Sequence, residues 1–351
     1  VERRDISNLP FLLNHMSLQS AFHTFIHKEQ LLHKQHRYVL AFSSGVDSVV
    51  LCDLLCKSGY DITLAHVNYQ LRGVESDADQ AFAKSIAEAY KIPFLTITVN
   101  TTLLAAQTKE GIQEIARSVR YDWFKKLIDE SKLSVPYAGV LTAHHADDNV
   151  ETVWLNLLRG TGFQGLKGMD PKEGGMYGDV CRPLLFASKT DIVAYANEHA
   201  LSWREDSSNA SSTYTRNKLR LEVLPMLHTF FPQASQSMKH NIQRFRDEYT
   251  LNQFMLDRWL QKLIVVHKSE QSIAVASILK IPGYSSLLFR WVHTFGFSAA
   301  QMPDVLALLD ADTGRFVQSQ SHRLLRNRKW LVMSTLNEEI SVGAIIAADE
   351  T

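Results

Sequence analysis

A short segment of small and polar residues near the start of the chain has the composition of a phosphate-binding loop. It reads Ser43-Ser44-Gly45-Val46-Asp47-Ser48 and lies between an apolar run and a segment of helical length. Small side chains allow the backbone to approach a ligand closely, and the helix behind them offers unpaired N–H groups and the positive end of its dipole. We predict that the loop binds phosphate or diphosphate, that Ser48 caps the helix, and that Asp47 holds a Mg²⁺ ion.

Competing motifs are less well matched. No Gly-Lys-Ser/Thr sequence occurs, which excludes a Walker loop. A nucleophile elbow centred on Ser43 lacks its leading glycine, because Ala41 stands there. The dinucleotide-type pattern Gly160-Thr161-Gly162-Phe163-Gln164-Gly165 follows a helical stretch rather than a strand, so we interpret it as a helix stop and turn. An ordinary strand-to-helix turn with a serine cap remains the alternative for residues 43–48.

Two basic clusters have the composition of RNA contacts. Arg204, Arg216, Lys218 and Arg220 are interleaved with Trp203 and Tyr214, and a second cluster comprises Arg323, Arg326, Arg328 and Lys329. Guanidinium groups bind phosphates, and aromatic rings stack on splayed bases of RNA loops. For the second cluster, a solvated strand face is an equal alternative.

The elements that must position these residues are short apolar runs alternating with amphipathic segments. Residues 38–42, 62–67, 94–99 and 139–143 are typical of buried strands, and residues 48–57, 76–90 and 112–130 are typical of helices. This alternation predicts an α/β fold with a doubly wound, mostly parallel sheet, which binds ligands beyond the carboxyl ends of its strands. We expect residues 160–182 to be loop and residues 191–199 to form a short helix.

The later part of the chain has a different pattern. Apolar residues recur at helical spacing over residues 233–267. We predict an N-terminal extension and helix (1–35), the α/β domain (36–220), a helical domain that contacts RNA (221–312), and short strands or the start of a C-terminal domain (313–351).

Composition narrows the class of protein. Of 351 residues, 45% are hydrophobic and 21% charged, which excludes wholesale disorder. The 37 basic residues balance the 37 acidic ones, so a polyanion must be bound by local patches. Three cysteines are too few for a disulfide framework, and no run of about 18 apolar residues is present. We expect an intracellular, cytoplasmic protein that does not bind membranes; a homodimer is left open.

With its flanking elements, the 43–48 loop resembles the S-G-G-x-D-S loop of N-type ATP pyrophosphatases (PP-loop proteins), with Ser44 in place of glycine. Further segments, within residues 38–225, resemble the tRNA(Ile)-lysidine synthetase branch. In chain order they are His66-Val67-Asn68-Tyr69-Gln70-Leu71-Arg72, Glu114-Ile115-Ala116-Arg117-Ser118-Val119-Arg120-Tyr121, His144-His145-Ala146-Asp147-Asp148-Asn149-Val150-Glu151-Thr152, Arg182-Pro183-Leu184-Leu185, Glu205-Asp206-Ser207-Ser208-Asn209 and Arg216-Asn217-Lys218-Leu219-Arg220.

The resemblance implies an adenine nucleotide alpha hydrolase-like fold and a ligase that uses ATP and Mg²⁺. ATP would adenylate the C2 oxygen of the wobble cytidine in the CAU anticodon of tRNA(Ile). The ε-amine of free L-lysine would then attack that carbon and expel AMP, giving lysidine and changing the codon read from AUG to AUA.

The resemblance also implies residue roles. ATP would be bound by Ser43, Ser44, Gly45, Val46, Asp47, Ser48 and His66. Lysine would be bound by His144, Asp147, Asp148 and Glu151, and tRNA by Arg72, Arg204, Arg216, Asn217 and Arg220. The catalytic set would be Asp47, Arg120, Asp147 and Asp148. For Asp147 and Asp148 the alternative is simple helix capping, and a metal site at His144–His145 is disfavoured because adjacent strand residues point to opposite faces.

Three other functions compete with this one. A tRNA thiolase of the same superfamily needs a reactive thiolate, whereas Cys52 and Cys56 have core spacing and Cys181 stands alone. Only two departures from the family pattern favour a non-enzymatic nucleotide-binding module: Ser44 replaces glycine, and Tyr69 replaces histidine. A serine hydrolase built on Ser43 is the least favoured.

Overall fold

The computed structural model describes residues 17–131, 135–175, 179–205 and 215–336, and the statements below concern those residues. Several predictions from the sequence lie outside them. These are the N-terminal extension before residue 17, the 206–209 part of the Glu205-Asp206-Ser207-Ser208-Asn209 motif, the base-stacking role of Tyr214, and the tail from residue 337. The chain divides into two compact units, Val1–Arg246 and Asp247–Thr351.

The first unit contains a six-stranded sheet with the order β3-β2-β1-β4-β6-β5. Its strands are β1 (Arg37–Ala41), β2 (Asp61–Asn68), β3 (Phe94–Thr98), β4 (Tyr137–Leu141), β5 (Lys172–Glu173) and β6 (Val180–Cys181). All pairings are parallel except β5 with β6. The predicted doubly wound, mostly parallel sheet is therefore confirmed.

The helices predicted over residues 48–57, 76–90, 112–130 and 191–199 are present, each within two residues of its predicted limits. The described helices of this unit are α1 (Leu18–Glu29), α2 (Val46–Lys57), α3 (Val74–Tyr90), α4 (Thr101–Thr108), α5 (Ile112–Ser131), α6 (Ala146–Arg159), α7 (Phe163–Leu166), α8 (Lys189–Glu198), α9 (Thr215–Lys218) and α10 (Leu224–Phe230), with a π-helical stretch at Leu219–Val223. A 30-residue helix, α11 (Ala234–Leu263), follows and contains the division between the units.

Burial explains why the central strands have continuous apolar sequences. Leu40 on β1 lies opposite Leu64 on β2 and Leu141 on β4, and all three side chains are fully buried. Helices on both faces exclude water from the middle of such a sheet. The strand order reverses between β1 and β4, so the loops after these two strands meet at the switch point where doubly wound sheets bind ligands.

The stretch 160–182, which we predicted to be loop, contains a short helix and two short strands (α7, β5 and β6). Each of these strands has two residues, too few to give a recognisable pattern. The predicted helix stop is confirmed, since Gly160 ends α6 with a φ of 81°.

The second unit is built on a five-stranded antiparallel sheet with the order β7-β8-β11-β10-β9. Its strands are β7 (Val265–His267), β8 (Glu270–Ala274), β9 (Phe316–Gln318), β10 (His322–Asn327) and β11 (Trp330–Thr335). Its helices are α12 (Val275–Ile278), α13 (Tyr284–His293), a 3₁₀ turn (Ala299–Gln301) and α14 (Met302–Ala307). Ile273, Trp291, Leu324 and Leu331 share one core.

The interval 221–312 is thus not entirely helical, because β7 and β8 belong to the sheet of the second unit. All three residues of β7 are exposed, so their sequence has no alternation to reveal a strand. The limits at residues 220 and 312 stay predictions about functional domains. None of the described helices is both long enough and apolar enough to cross a membrane.

Candidate active site

The loop after β1 forms the turn into α2. Gly45 is the residue before the first helical turn, and the Ser48 hydroxyl donates to the Gly45 carbonyl at 2.8 Å. The helix thus begins two residues before the predicted limit, and the prediction that Ser48 caps it is wrong, because Gly45 is the N-cap residue. The apolar Val46 joins the helix because its side chain is buried in the core, and the first-turn N–H groups remain directed at the loop.

Ser44 adopts the backbone conformation for which glycine is usually required. Its φ is 71°, and the residue is completely buried. Its hydroxyl donates to the Asp79 carbonyl at 2.9 Å, and its own carbonyl accepts the Arg204 N–H at 3.0 Å. A serine in the left-handed region costs about 1–2 kcal/mol, and the buried hydrogen bond of its side chain offsets part of that cost.

Asp47 lies in the first turn of α2, and both of its carboxylate oxygens accept hydrogen bonds from one ammonium group. The Lys189 Nζ lies 2.7 Å from Oδ1 and 2.8 Å from Oδ2. The His145 Nε2 lies 4.0 Å from Oδ1. Mg²⁺ is commonly bound by one or two carboxylates together with substrate phosphates. An open carboxylate beside a phosphate-type loop fits that requirement once Lys189 releases it.

A cavity of about 230 Å³ lies beside the loop, at the carboxyl ends of β1 and β2. Its lining includes Ser43, His66, Arg72 and Arg120. The His66 Nδ1 lies 3.0 Å from the Phe42 carbonyl oxygen. Burial lowers the pKa of His66, so the ring is neutral near pH 7. The walls of the cavity thus combine a neutral ring, backbone groups and two guanidinium groups, which suits a nucleotide.

The acidic segment after β4 forms the start of α6, where Asp147 is held by two lysines. Its carboxylate accepts the backbone N–H of Lys189 and the Nζ of Lys239, each at 2.7 Å. Burial acts to raise the pKa of Asp147, but these two contacts bring it below its ordinary value. Asp147 therefore connects its helix to α8 and α11 rather than capping its own first turn.

Asp148 and Glu151 form a four-residue charge network with Arg216 and Arg220. Glu151, only 4% exposed at its side chain, accepts from the Nε of Arg216 at 2.8 Å and of Arg220 at 2.5 Å. The Asp148 Oδ1 accepts from both arginines, at 3.0 and 3.1 Å. Residues predicted to bind lysine and residues predicted to bind tRNA are therefore paired with each other.

The two histidines before α6 differ in their contacts. They follow β4 rather than belonging to it, so the argument from opposite strand faces does not apply to them. The His144 Nδ1 lies 2.9 Å from the Thr142 hydroxyl, and burial lowers the pKa of His144 to about 4. The backbone N–H of His145 donates to Asp148 at 3.1 Å, so Asp148 does cap the helix. Among the described residues no group of three or more histidine, cysteine or acidic side chains could hold a metal.

The remaining predicted tRNA contacts are also near acidic groups. Arg72 donates to Asp79 at 2.8 Å, and Arg204 is hydrogen-bonded to the other oxygen of the same carboxylate. Asp79 thereby joins the segment after β2 to the segment that follows α8. Asn217 lies between the two arginines of the charge network, on α9.

The structure therefore gathers the predicted residues around the switch point in two groups. The cavity brings together Ser43, His66, Arg72 and Arg120, and the charged group contains Asp47, Asp147, Asp148, Glu151, Arg216 and Arg220. Sequence reasoning did not single out Lys189 or Lys239. A signal for Lys189 was present, because Ser188 and Asp191 form a capping box that fixes the start of α8.

Comparisons with known proteins agree with this fold. The family model of the PP-loop domain matches residues 14–227, and that of the TilS substrate binding domain matches residues 266–336. The fold and the site thus define a PP-loop protein. The tRNA(Ile)-lysidine synthase of Parabacteroides distasonis is 33% identical over 315 residues, which are 90% of this chain and 69% of the relative. That of Porphyromonas gingivalis ATCC 33277 is 35% identical over 328 residues, which are 93% of this chain and 70% of the relative. The chain belongs to the tRNA(Ile)-lysidine synthase family.

A solved structure supports the fold independently. The U34-tRNA thiolase NcsA of Methanococcus maripaludis superposes with a TM-score of 0.52 at 16% identity, covering 64% of this chain and 77% of that protein. At this identity the similarity concerns the fold alone.

Proposed function

We propose that this protein ligates L-lysine to C2 of the wobble cytidine in the CAU anticodon of tRNA(Ile), with ATP converted to AMP and diphosphate. Family membership supports the ligase activity, the use of ATP and the tRNA substrate. The observation that carries the assignment of the site is the position of Asp47 beside the acidic start of α6, where Lys189 contacts both Asp47 and Asp147.

In the proposed reaction, the loop 43–48 and Arg120 bind the phosphates, and the cavity with His66 holds adenosine. Asp47 would hold Mg²⁺, which neutralises charge on the phosphates. The oxygen at C2 of cytidine attacks the α-phosphorus and diphosphate leaves. The lysine ε-amine then attacks C2 and AMP leaves.

Lysine would be bound by carboxylates of the acidic segment together with neutral His144. Free lysine has a side-chain pKa near ~10.4, so its ε-ammonium must lose a proton before it attacks. Asp147 and Asp148 would accept that proton. Arg72, Arg204, Arg216 and Arg220 would contact the tRNA by exchanging carboxylate partners for phosphates, and Asn217 would contact it between the last two arginines.

The setting of the reaction is part of the proposal. We infer a cytoplasmic location, where free lysine and tRNA are found together. A homodimer is also proposed, with exposed apolar side chains on α11 such as Leu251 and Phe254 as its contact. A solution mass equal to one chain at micromolar concentration would contradict the dimer.

Family membership disfavours sulfur transfer. Two of the three thiols are also unsuited to it, because Cys52 is fully buried and burial raises the pKa of Cys181 to about 11. Cys56 is partly buried, and the hydrogen bond from the Cys52 thiol lowers its pKa.

The proposal is tested by AMP release from ATP with a tRNA(Ile) transcript, supplied with each amino acid in turn. We expect lysine alone to support formation of a product stable to mild base. Equal incorporation of other amino acids, or AMP release without dependence on tRNA, would contradict it.

A further inference from the structure

The contact between Lys189 and Asp47 contributes little to the stability of the fold. The ammonium group of Lys189 contacts both oxygens of Asp47, yet the Lys189 side chain is 45% exposed and that of Asp47 is 29% exposed. Ion pairs this open to water contribute about 0–1 kcal/mol. The backbone of Lys189 is held on two sides, because Ser188 caps α8 and the Lys189 N–H donates to Asp147. The fold therefore fixes the base of this side chain and leaves its charged end in the open site.

The Asp47 carboxylate that the ammonium group occupies is also the one a divalent cation would use. A Mg²⁺ ion bound there would repel the neighbouring ammonium group, so metal binding favours displacement of the Lys189 Nζ. The displaced ammonium would stay near the loop 43–48, since the backbone of Lys189 is anchored. The negative charge that arrives with the metal is that of the nucleotide phosphates.

We propose that Lys189 is a phosphate-binding residue that neutralises Asp47 until nucleotide and metal arrive, and then binds the phosphates, including the diphosphate that leaves. This inference rests on the proposed ATP site. It adds a residue that neither the loop motif nor the acidic segment contains, and it predicts opposite effects on two ligands when its charge is removed.

The test measures both ligands on the intact chain without tRNA. Lys189→Met keeps the length of the side chain and removes the charge. We expect Mn²⁺ alone, followed by electron paramagnetic resonance, to bind this variant about tenfold more tightly than wild type, because Asp47 has lost its competitor. Inorganic diphosphate with Mg²⁺, followed by calorimetry, should bind about tenfold more weakly, as expected for loss of one charge-assisted hydrogen bond. Lys189→Arg should retain diphosphate binding.

Lys172→Met is the matched control. Lys172 pairs with Asp179 at 2.7 Å, and its side chain is 46% exposed, almost the same as that of Lys189. We expect the control to leave both affinities unchanged. Mn²⁺ and diphosphate affinities that are unchanged in Lys189→Met would overturn the inference, as would weaker Mn²⁺ binding. If wild type binds no ATP with Mg²⁺, and Asp47→Asn leaves Mn²⁺ and diphosphate affinities unchanged, the proposed function itself fails. If wild type binds ATP and only Lys189→Met leaves both affinities unchanged, the role of Lys189 alone fails.

Discussion

At the scale of single residues, Ser44 stands in the diphosphate loop where the family usually has glycine. Its positive φ and its buried hydrogen bond to the Asp79 carbonyl act in opposite directions on stability. Replacing serine by glycine removes a strain of about 1–2 kcal/mol and a hydrogen bond worth about 1 kcal/mol, so the two effects nearly cancel.

We therefore expect the free energy of unfolding of Ser44→Gly to lie within about 1 kcal/mol of wild type, and its AMP release to be equal or faster. Ser44→Ala keeps the strained φ and loses the hydrogen bond, so it should be less stable by about 1–2 kcal/mol. Denaturant unfolding of the two variants provides the comparison. A large loss of activity in Ser44→Gly with an intact fold would mean that the serine hydroxyl itself serves the reaction.

Asp47 carries the most specific prediction of the loop. Asp47→Asn keeps the size of the side chain but removes the charge that would hold Mg²⁺, so AMP formation should be abolished. The loss of a pair with exposed Lys189 should lower the free energy of unfolding by no more than about 1 kcal/mol. Wild-type AMP release by the folded variant would reject Asp47 as the metal-binding residue.

Asp147 distinguishes a lysine site from a purely structural carboxylate. Asp147→Asn retains an acceptor for the Lys189 N–H and loses the negative charge opposite Lys239. If Asp147 binds the substrate, the KM for lysine should rise at least tenfold while adenylation of tRNA without lysine continues, because charge-assisted hydrogen bonds are about twice as strong as neutral ones.

The matched control for this prediction is Asp179→Asn, which removes a carboxylate of similar exposure paired with Lys172. It should leave the KM for lysine unchanged. Equal loss of adenylation and of lysine incorporation in Asp147→Asn would place the residue at the nucleotide, and unchanged values would leave it a structural connection between α6, α8 and α11.

At the scale of secondary-structure elements, the charge network connects α6 to the segment of α9 and the π-helical turn. Glu151 is almost fully buried, so its carboxylate depends on both arginines for compensation. Breaking a buried ion pair costs about 3–5 kcal/mol in general. Both arginines are more than a third exposed, and Arg220→Gln leaves Arg216 in place. We therefore expect Arg220→Gln to lower the free energy of unfolding by about 1–3 kcal/mol.

The arginine pair can be tested for RNA binding and for structure in one experiment. Neutralising Arg216 and Arg220 together should weaken tRNA binding and reduce the salt slope by about 0.7 per lost phosphate contact, with ATP binding unchanged. A lower melting temperature with an unaltered slope would show that the pair serves only to compensate Asp148 and Glu151.

The elements themselves were largely predictable because their apolar runs report burial. The strands β1 to β4 and the helices α2, α3 and α5 lie within a few residues of the predicted limits. The strands β5 and β6 were not predicted because each has two residues, and β7 was not because all its side chains face water. The short length of β5 and β6 and the exposure of β7 left no sequence pattern that would indicate a strand.

The site was predictable in its residue types and not in its pairings. The motifs indicated Asp47, Asp147, Asp148 and Glu151, and strand order places them at one edge of the sheet. The lysine and arginine partners of these acids come from far along the chain: Lys189 contacts Asp47, and Arg220 contacts Glu151. Local spacing contains no information about such contacts, because they depend on how the elements pack.

At the scale of the whole molecule, a net charge of zero means that tRNA affinity must come from local patches. In the second unit, Arg323 and Arg326 lie on β10, whereas Arg328 and Lys329 lie in the turn before β11. The guanidinium of Arg323 lies 4.7 Å from the centre of the Phe316 ring. These residues fall within the match to the TilS substrate binding domain.

We expect Arg323→Gln, Arg328→Gln and Lys329→Gln, combined, to weaken binding of full-length tRNA(Ile) by tenfold or more, as loss of phosphate contacts predicts. Binding of an isolated anticodon stem-loop should be unchanged in the same variant. Equal weakening for both RNAs would assign the patch to the anticodon, and no weakening for either would leave it a solvated strand face.

The central claim, lysine ligation to the anticodon, is tested most directly by mass spectrometry of the nucleosides of tRNA(Ile) after incubation with the protein, ATP, Mg²⁺ and L-lysine. The account predicts that the wobble cytidine gains one lysine and loses one water, that the change requires both ATP and lysine, and that Asp47→Asn abolishes it. An unmodified wobble cytidine, a sulfur atom in place of its oxygen, or the same lysine adduct formed without ATP would contradict the account.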